Sequence, residues 1–286
     1  MKVFVTGGSG YIGQAVIRGL RRHGHKVTAL ARSERSAAAV SSAGATPVAG
    51  TLDEPSGLNR AAADAEAVIH LAQADSGEAD LAAATAMQDA LGSGIYIHTG
   101  GTWVYGNTDG LVDEDAPWDP PQVVAWRRPV EDAVLARAGQ GGHPVIIRPG
   151  LLYGGANRLI DTFFTRPGVA AGAIPYIGDG SQHWALIHVS DLAELYVAAL
   201  DATPGAVYVG VGGVNPTARE IAEAVSVGQG LNGRTQSLGL DAARSRMGPV
   251  ADAFALDQQF TPARARRELN WQPAHTRPLD HFAERR

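Results

Sequence analysis

The sequence predicts an α/β protein: a doubly wound, mostly parallel sheet joined to a smaller, discontinuous second part. Three observations predict it. Over the first half of the chain short apolar runs alternate with helix-period patterns, the mark of βαβ units. A cluster of glycines separates the first strand from the first helix. Beyond Pro149 the alternation fades and glycine-rich stretches take over.

The elements follow in order. Residues 2–6 read as a strand. Residues 11–23 place Ile12, Val16, Ile17 and Leu20 on one helical face, and Gly24 suits the position just past its end. Residues 26–31 form a second strand, and Ser33 caps a helix running to about residue 43. A short strand at 46–49, a helix at 55–63, a continuous apolar strand at 67–71, a helix at 80–91 and a strand at 94–99 complete the regular part. Residues 106–121, rich in Asp, Pro and Gly, read as a loop. Residues 123–138 return to helix, where Pro129 conflicts unless it begins a helical segment or makes a kink. Residues 144–148 form a buried strand. Later, 168–180 is glycine-rich, 189–200 is helical, 207–211 returns a strand to the sheet, Thr217 caps a helix through 226, and 262–269 is a helix. The expected division is a dinucleotide-type domain at 1–150, with a returning segment at about 186–211. A smaller substrate-binding part spans 151–185 and 212–286.

Composition narrows the function. The 286 residues carry 24 Lys+Arg against 29 Asp+Glu, a net charge of −5. That balance speaks against nucleic-acid partners, which demand a basic surface. It also speaks against a polybasic membrane surface. Apolar residues at 45% indicate a globular chain. The absence of cysteine removes disulfides, thiolate metal sites and thiol nucleophiles. The apolar stretch before the glycines is too short for a signal-peptide core, and there is no apolar run of about 18 residues. A cytoplasmic protein is expected. The nine histidines lack an H-x-x-x-H or H-x-E spacing, so no metal site is expected.

The strongest signal is Thr6-Gly7-Gly8-Ser9-Gly10-Tyr11-Ile12-Gly13. It reads as G-x-G-x-x-G from Gly8 and as G-x-x-G-x-x-G from Gly7, between a strand and a helix. Glycines there let the backbone turn tightly and approach a diphosphate at the helix N-terminus, as in a Rossmann-type sheet. About 20 residues on, where an acidic residue would favour NAD, stand Ala31-Arg32-Ser33. Arg32 can form bidentate, charge-assisted bonds to a 2′-phosphate. NADP(H) is therefore the expected coenzyme, with NAD(H) as the second choice.

These residues carry a resemblance. The glycine pattern, Val68-Ile69-His70-Leu71-Ala72, Thr102-Trp103-Val104-Tyr105-Gly106 and Arg148-Pro149-Gly150-Leu151-Leu152-Tyr153-Gly154 are similar to the atypical and extended short-chain dehydrogenase/reductases, the NAD-dependent epimerase/dehydratase superfamily. Segments around Gly178-Asp179-Gly180, Ile187-His188-Val189-Ser190-Asp191 and Leu269-Asn270-Trp271 resemble its second-domain patterns, so the likeness covers nearly the whole chain. The resemblance implies that the loop of Gly7, Gly10, Tyr11, Ile12 and Gly13 borders the diphosphate and that Arg32 meets the ribose. It places Thr51 and Leu52 near adenine, although the family usually has Asp where Thr51 stands. Leu71, Ala72 and Gln73 would lie along the coenzyme, and Pro149 and Gly150 at its nicotinamide end.

Two departures bear on mechanism. The family pairs a Ser or Thr on the fifth-strand loop with a Tyr-x-x-x-Lys on the next helix. Counting from Glu131, the Lys position falls on Arg127 and the Tyr position on Val123, and no Tyr occurs between Tyr105 and Tyr153. Gly101 falls at the Ser/Thr position, with Thr99 and Thr102 beside it. The segment from His70 to Gly94 is also short for the family. This puts its usual homodimer interface in doubt.

Arg127 can hold a ribose hydroxyl or a substrate anion but cannot act as an acid near neutral pH. Thr102 can hydrogen-bond a developing alkoxide. The proton would then come through Tyr105, Tyr153, His183 or His188. Thr102, Tyr105 and Arg127 are thus the catalytic candidates, and Thr99 and Arg127 also border the coenzyme. Trp103, Trp126, Tyr153, His183 and Trp184 are the expected substrate pocket, suited to a small apolar or aromatic molecule. The expected function is an NADP(H)-dependent oxidoreductase acting on a carbonyl, alcohol or imine. The alternatives are a nucleotide-sugar epimerase or dehydratase, and a non-catalytic coenzyme-binding sensor or scaffold.

Overall fold

The computed structural model describes residues 1–155 and 158–284. Its strands are β1 (Lys2–Thr6), β2 (Lys26–Ala31), β3 (Thr46–Ala49), β4 (Ala67–His70), β5 (Ile95–Thr99), β6 (Leu111–Val112), β7 (His143–Pro149), β8 (Leu151–Tyr153), β9 (Ile174–Ile177), β10 (Leu186–His188), β11 (Val207–Gly210), β12 (Thr235–Leu238) and β13 (Gln259–Phe260). Seven of them build one sheet in the order β11-β7-β5-β4-β1-β2-β3, and every pairing in it is parallel. The strand order reverses between β1 and β4, so the crevice for a ligand opens at their carboxyl ends.

The sheet is covered on both faces, and the strands alternate accordingly. Val3, Val5, Ile69, Ile97, Val145 and Ile147 pack on one face with the helix α1 (Tyr11–Arg22) and the helix Val189–Ala198. Phe4, Val68, Tyr96 and Ile146 pack on the other with α3 (Pro55–Ala63) and α4 (Gly77–Leu91). A further core is centred on Tyr153, Phe164, Trp184, Ile221 and Phe254. There β8 pairs with β10 and β9 with β12.

Local chemistry sets the boundaries. Ser33 caps α2 (Glu34–Ala43) by accepting the Ser36 N–H. Thr217 and Glu220 form a reciprocal capping box at the helix Ala218–Gly228. The α4 helix begins at Gly77, three residues before the expected start, because Ser76 accepts the Ala79 N–H. The expected helix at 123–138 divides: Gln122–Val124 is a 3-10 turn and α5 spans Arg127–Ala136. Pro129 thereby falls in the first turn of α5, where its missing N–H costs nothing. The glycine-rich stretch at 168–180 contains β9 and most of a short helix, Arg166–Ala171. Helices Leu240–Met247 and Val250–Phe254, unread in the sequence, complete the second core. Among the described residues no helix is long and apolar enough to cross a membrane.

Candidate active site

The glycine loop is built for an anion. Gly7 has φ +69°, and a Cβ there would lie 2.7 Å from the Ala72 nitrogen. A Cβ on Gly13 would run into the backbone of Gly7 and Gly8. Gly10 caps α1 without any side-chain hydrogen bond, and the first turn holds no acidic residue. The first-turn N–H groups thus face the crevice with no protein carboxylate competing for them, which fits a diphosphate.

Two hollows meet there. One, of about 380 Å³, runs from Gly7 and Gly10 past Arg32, Thr51 and Leu52 to Leu71, Ala72 and Gln73. The other, of about 350 Å³, begins at the same three residues and Ile12. It continues between Thr99, Thr102, Trp103, Trp126 and Arg127 on one side and Pro149, Gly150 and Leu152 on the other. Together they form one trench across the switch point. Gly13 sits beneath it, and Tyr11 turns its hydroxyl to the Gly154 carbonyl.

Val123 and Arg127, the positions matched to Tyr and Lys, both line the second hollow. Arg127 donates from Nη1 to the Thr99 carbonyl at 3.1 Å and lies 4.6 Å over the Trp126 ring. The Thr99 hydroxyl lies 2.7 Å from the hydroxyl of Tyr196, a residue the sequence reading passed over. Burial pushes the Tyr196 phenol well up, so it serves Thr99 as a neutral partner. Gln258 fixes the turn that carries Thr102 and Trp103 by donating to the carbonyls of Thr102 (2.8 Å) and Gly106 (2.7 Å).

Other expected residues stand elsewhere. Tyr105 is buried beside β7, donating to the Glu114 carbonyl and accepting from Arg148, and burial pushes its pKa up to about 12. Tyr153 packs in the second core and donates to the His275 carbonyl at 2.8 Å. His183 pairs with Asp257 at 2.8 Å. Trp184 is buried, its indole donating to the Phe254 carbonyl. None of these four borders the second hollow. Leu151 and Leu152 of β8 both line the hollow, whereas Tyr153, at the end of the strand, is held in the second core by its bond to the His275 carbonyl and its contacts with His188, His281 and Phe282.

His188 caps the helix Val189–Ala198, its Nδ1 accepting the Ser190 N–H at 3.2 Å. Its ring stacks 3.7 Å from that of His275. Burial and then the neighbouring His275 lower its pKa from 6.5 to about 4. The unfolded chain therefore binds a proton in this range that the native chain refuses. Native stability should fall as pH drops from 6.5 toward 4, by up to about 1.4 kcal/mol per pH unit from this residue. Urea unfolding across that range should show a flatter slope for His188→Gln; an unchanged slope would contradict this.

A second cluster escaped the sequence reading. His70 and His98 stand opposite one another at the ends of β4 and β5, and Asp80 approaches both from α4. All three are buried, and Asp80 borders the second hollow. Burial alone would raise the Asp80 carboxyl, but His70, His98 and the Ala74 N–H together hold it below its usual value. The signal lay in strand register, with matched histidines closing two adjacent parallel strands, rather than in spacing along the chain.

The model of the NAD dependent epimerase/dehydratase family matches residues 3–210. The chain belongs to this family. The chain is 32% identical over 292 residues to an uncharacterized protein of Saccharomyces cerevisiae, covering 96% of this chain and 95% of that one. It is 26% identical to the 4-hydroxy-2-methyl-3-oxo-4-farnesyl-3,4-dihydroquinoline-1-oxide ketoreductase of Stigmatella aurantiaca, covering 86% and 78%. Among solved structures, dTDP-glucose 4,6-dehydratase from Streptomyces venezuelae with NAD and TYD bound superposes with TM-score 0.81 at 20% identity, covering 99% and 96%. Human epimerase family protein SDR39U1 with NADPH gives 0.78 at 21%, covering 99% of each chain. These likenesses establish the doubly wound epimerase/dehydratase fold around the trench, and the family is one that uses a nicotinamide coenzyme.

Proposed function

We propose that this family member is an NADP(H)-dependent oxidoreductase that reduces the carbonyl or imine of a small apolar or aromatic substrate, or oxidises the matching alcohol. The observation that carries this reading is the continuous trench. Arg32 stands at one end of it, suited to a 2′-phosphate, and Trp103 and Trp126 flank the other, suited to a planar apolar molecule. The ketoreductase relative supports a ketone as the reacting group.

The coenzyme, when bound, supplies the hydride; the protein supplies orientation and polarisation. The first-turn N–H groups of α1 and the Gly7–Gly10 turn would hold the diphosphate, and Pro149 and Gly150 would border the nicotinamide end. The hydroxyls of Thr99 and Thr102 are the groups placed to hydrogen-bond the substrate oxygen, Thr99 being held by Tyr196. Arg127 remains charged throughout and stabilises negative charge as it develops on that oxygen. With Val123 at the tyrosine position, the balancing proton reaches the oxygen from cleft water through a threonine hydroxyl. Among the described residues no tyrosine lines the second hollow, which weighs against the nucleotide-sugar reading, whose family chemistry uses one.

The test is NADPH oxidation with a panel of aliphatic and aromatic ketones, aldehydes and imines, with UDP-glucose and dTDP-glucose incubated in parallel and followed by product analysis, because epimerisation and dehydration return the coenzyme unchanged. Turnover is expected with an apolar member and not with the sugars, and Thr99→Val should lower kcat at least about tenfold. Conversion of a nucleotide sugar would favour the epimerase/dehydratase reading. Tight NADPH binding with no turnover on any member would favour a sensor.

A further inference from the structure

The cluster of His70, Asp80 and His98 has the chemistry and spacing of a metal centre. His70 Nε2 lies 3.4 Å from Asp80 Oδ1, and His98 Nε2 lies 3.7 Å from Asp80 Oδ2. The three ligand atoms fall within 4.8 Å of one another. Donors bound at about 2.1 Å around a tetrahedral ion stand roughly 3.4 Å apart, so these separations already approach the edges of such a shell. The three residues are 1%, 2% and 2% exposed. Despite this burial, His70 Nε2 has no hydrogen-bond partner. This buried ring nitrogen faces the Asp80 carboxylate at a distance longer than a good hydrogen bond and has no other polar partner.

The surrounding groups orient the rings as ligands require. His70 Nδ1 lies 2.6 Å from the Thr6 hydroxyl, and Thr6 also accepts the Ala72 N–H at 3.3 Å. A hydroxyl oxygen has two lone pairs. It can accept from both Ala72 N–H and His70 Nδ1–H, and in that tautomer the lone pair of His70 lies on Nε2, facing Asp80. His98 repeats the arrangement, with Nδ1 3.5 Å from the Tyr96 hydroxyl and Nε2 toward Asp80. Hydrogen bonding at one imidazole nitrogen to direct the other is how proteins fix metal-binding histidines. Two imidazoles and a carboxylate suit zinc and its N/O-binding neighbours rather than calcium or magnesium.

The geometry points to His70, Asp80 and His98 forming a three-ligand site for a divalent transition-metal ion at the wall of the substrate cleft. Asp80 borders the second hollow. Of the three it is the one on the hollow's lining, so the fourth position of a tetrahedral ion would be open to water or a substrate oxygen on the Asp80 side. This site stands on its own geometry and does not depend on the choice of coenzyme or substrate.

Untagged protein, freed of metal by chelator and exchanged into chelator-free buffer, should be titrated with Co²⁺ and separately dialysed against Zn²⁺. One equivalent of zinc per chain is expected by elemental analysis, with visible absorption of tetrahedral intensity in the cobalt form. His98→Gln and Asp80→Asn, each checked for native circular dichroism, should each weaken binding more than about 100-fold. The proposal is overturned if the wild-type chain takes up no stoichiometric metal at micromolar concentration, a measurement that needs no variant. It is equally overturned if a folded variant keeps the wild-type cobalt spectrum and affinity.

Discussion

Replacing Arg148 with methionine is expected to destabilise the protein by about 3–5 kcal/mol, the usual cost of removing one partner of a buried ion pair. Arg148 Nε donates to Glu131 Oε2 at 2.8 Å, with the two side chains 6% and 1% exposed. The same guanidinium donates to the Tyr105 hydroxyl and lies 4.6 Å over the Trp118 ring. Burial pushes the Glu131 carboxyl up, and Arg148 is the principal group pulling it back. Without Arg148, Glu131 must either stay charged and unpaired or take up a proton. Its folded pKa then lies further above the unfolded value, so the loss should grow as pH rises and shrink below the ordinary carboxylate range. The double variant Arg148→Met/Glu131→Gln removes the orphan charge and should recover most of the stability. Urea unfolding at two pH values and the double-mutant cycle check all three statements; equal losses for single and double variants would contradict them. The pair lies close to the chemistry, because Glu131 is one turn along α5 from Arg127.

Arg32→Asp is the second large effect, and it acts on binding rather than stability. Arg32 is exposed just beyond the end of β2 and lines the same hollow as Ser36, Thr51 and Leu52. Hydrogen bonds to a charged group contribute about 1.5–3 kcal/mol. Affinity for NADPH should therefore fall by roughly 10–100-fold, further aided by repulsion from the new carboxylate. An aspartate at this position accepts from ribose hydroxyls, so NADH affinity should hold or improve. Parallel fluorescence titrations with the two coenzymes give the ratio. An unchanged preference would show that Arg32 does not read the 2′ position.

What the sequence makes legible here is what is local. The strand-to-helix turn at Gly7, Gly10 and Gly13 is written within eight consecutive residues, and its function depends on backbone shape. The alternation of Phe4, Val68, Tyr96 and Ile146 against Val5, Ile69, Ile97 and Ile147 likewise follows from period-two patterning within each strand. The cleft chemistry is less legible because it is assembled across distance. Tyr196 reaches Thr99 from a helix 97 residues away in sequence, and Gln258 reaches Thr102 from 156 residues away. Asp80 meets two histidines only because β4 and β5 are neighbours in exact register. Trp103 and Trp126 do reach the cleft, but Trp184 is drawn into the second core by Phe164 and Phe254. Aromatic composition alone does not separate those two fates.

The proposed chemistry rests on the trench holding a phosphorylated nicotinamide nucleotide, and calorimetric titration of the purified chain with NADPH and with NADH tests this most directly. A saturable, single-site heat with NADPH, at lower concentration than with NADH, is the expected result. No heat with either nucleotide would contradict it.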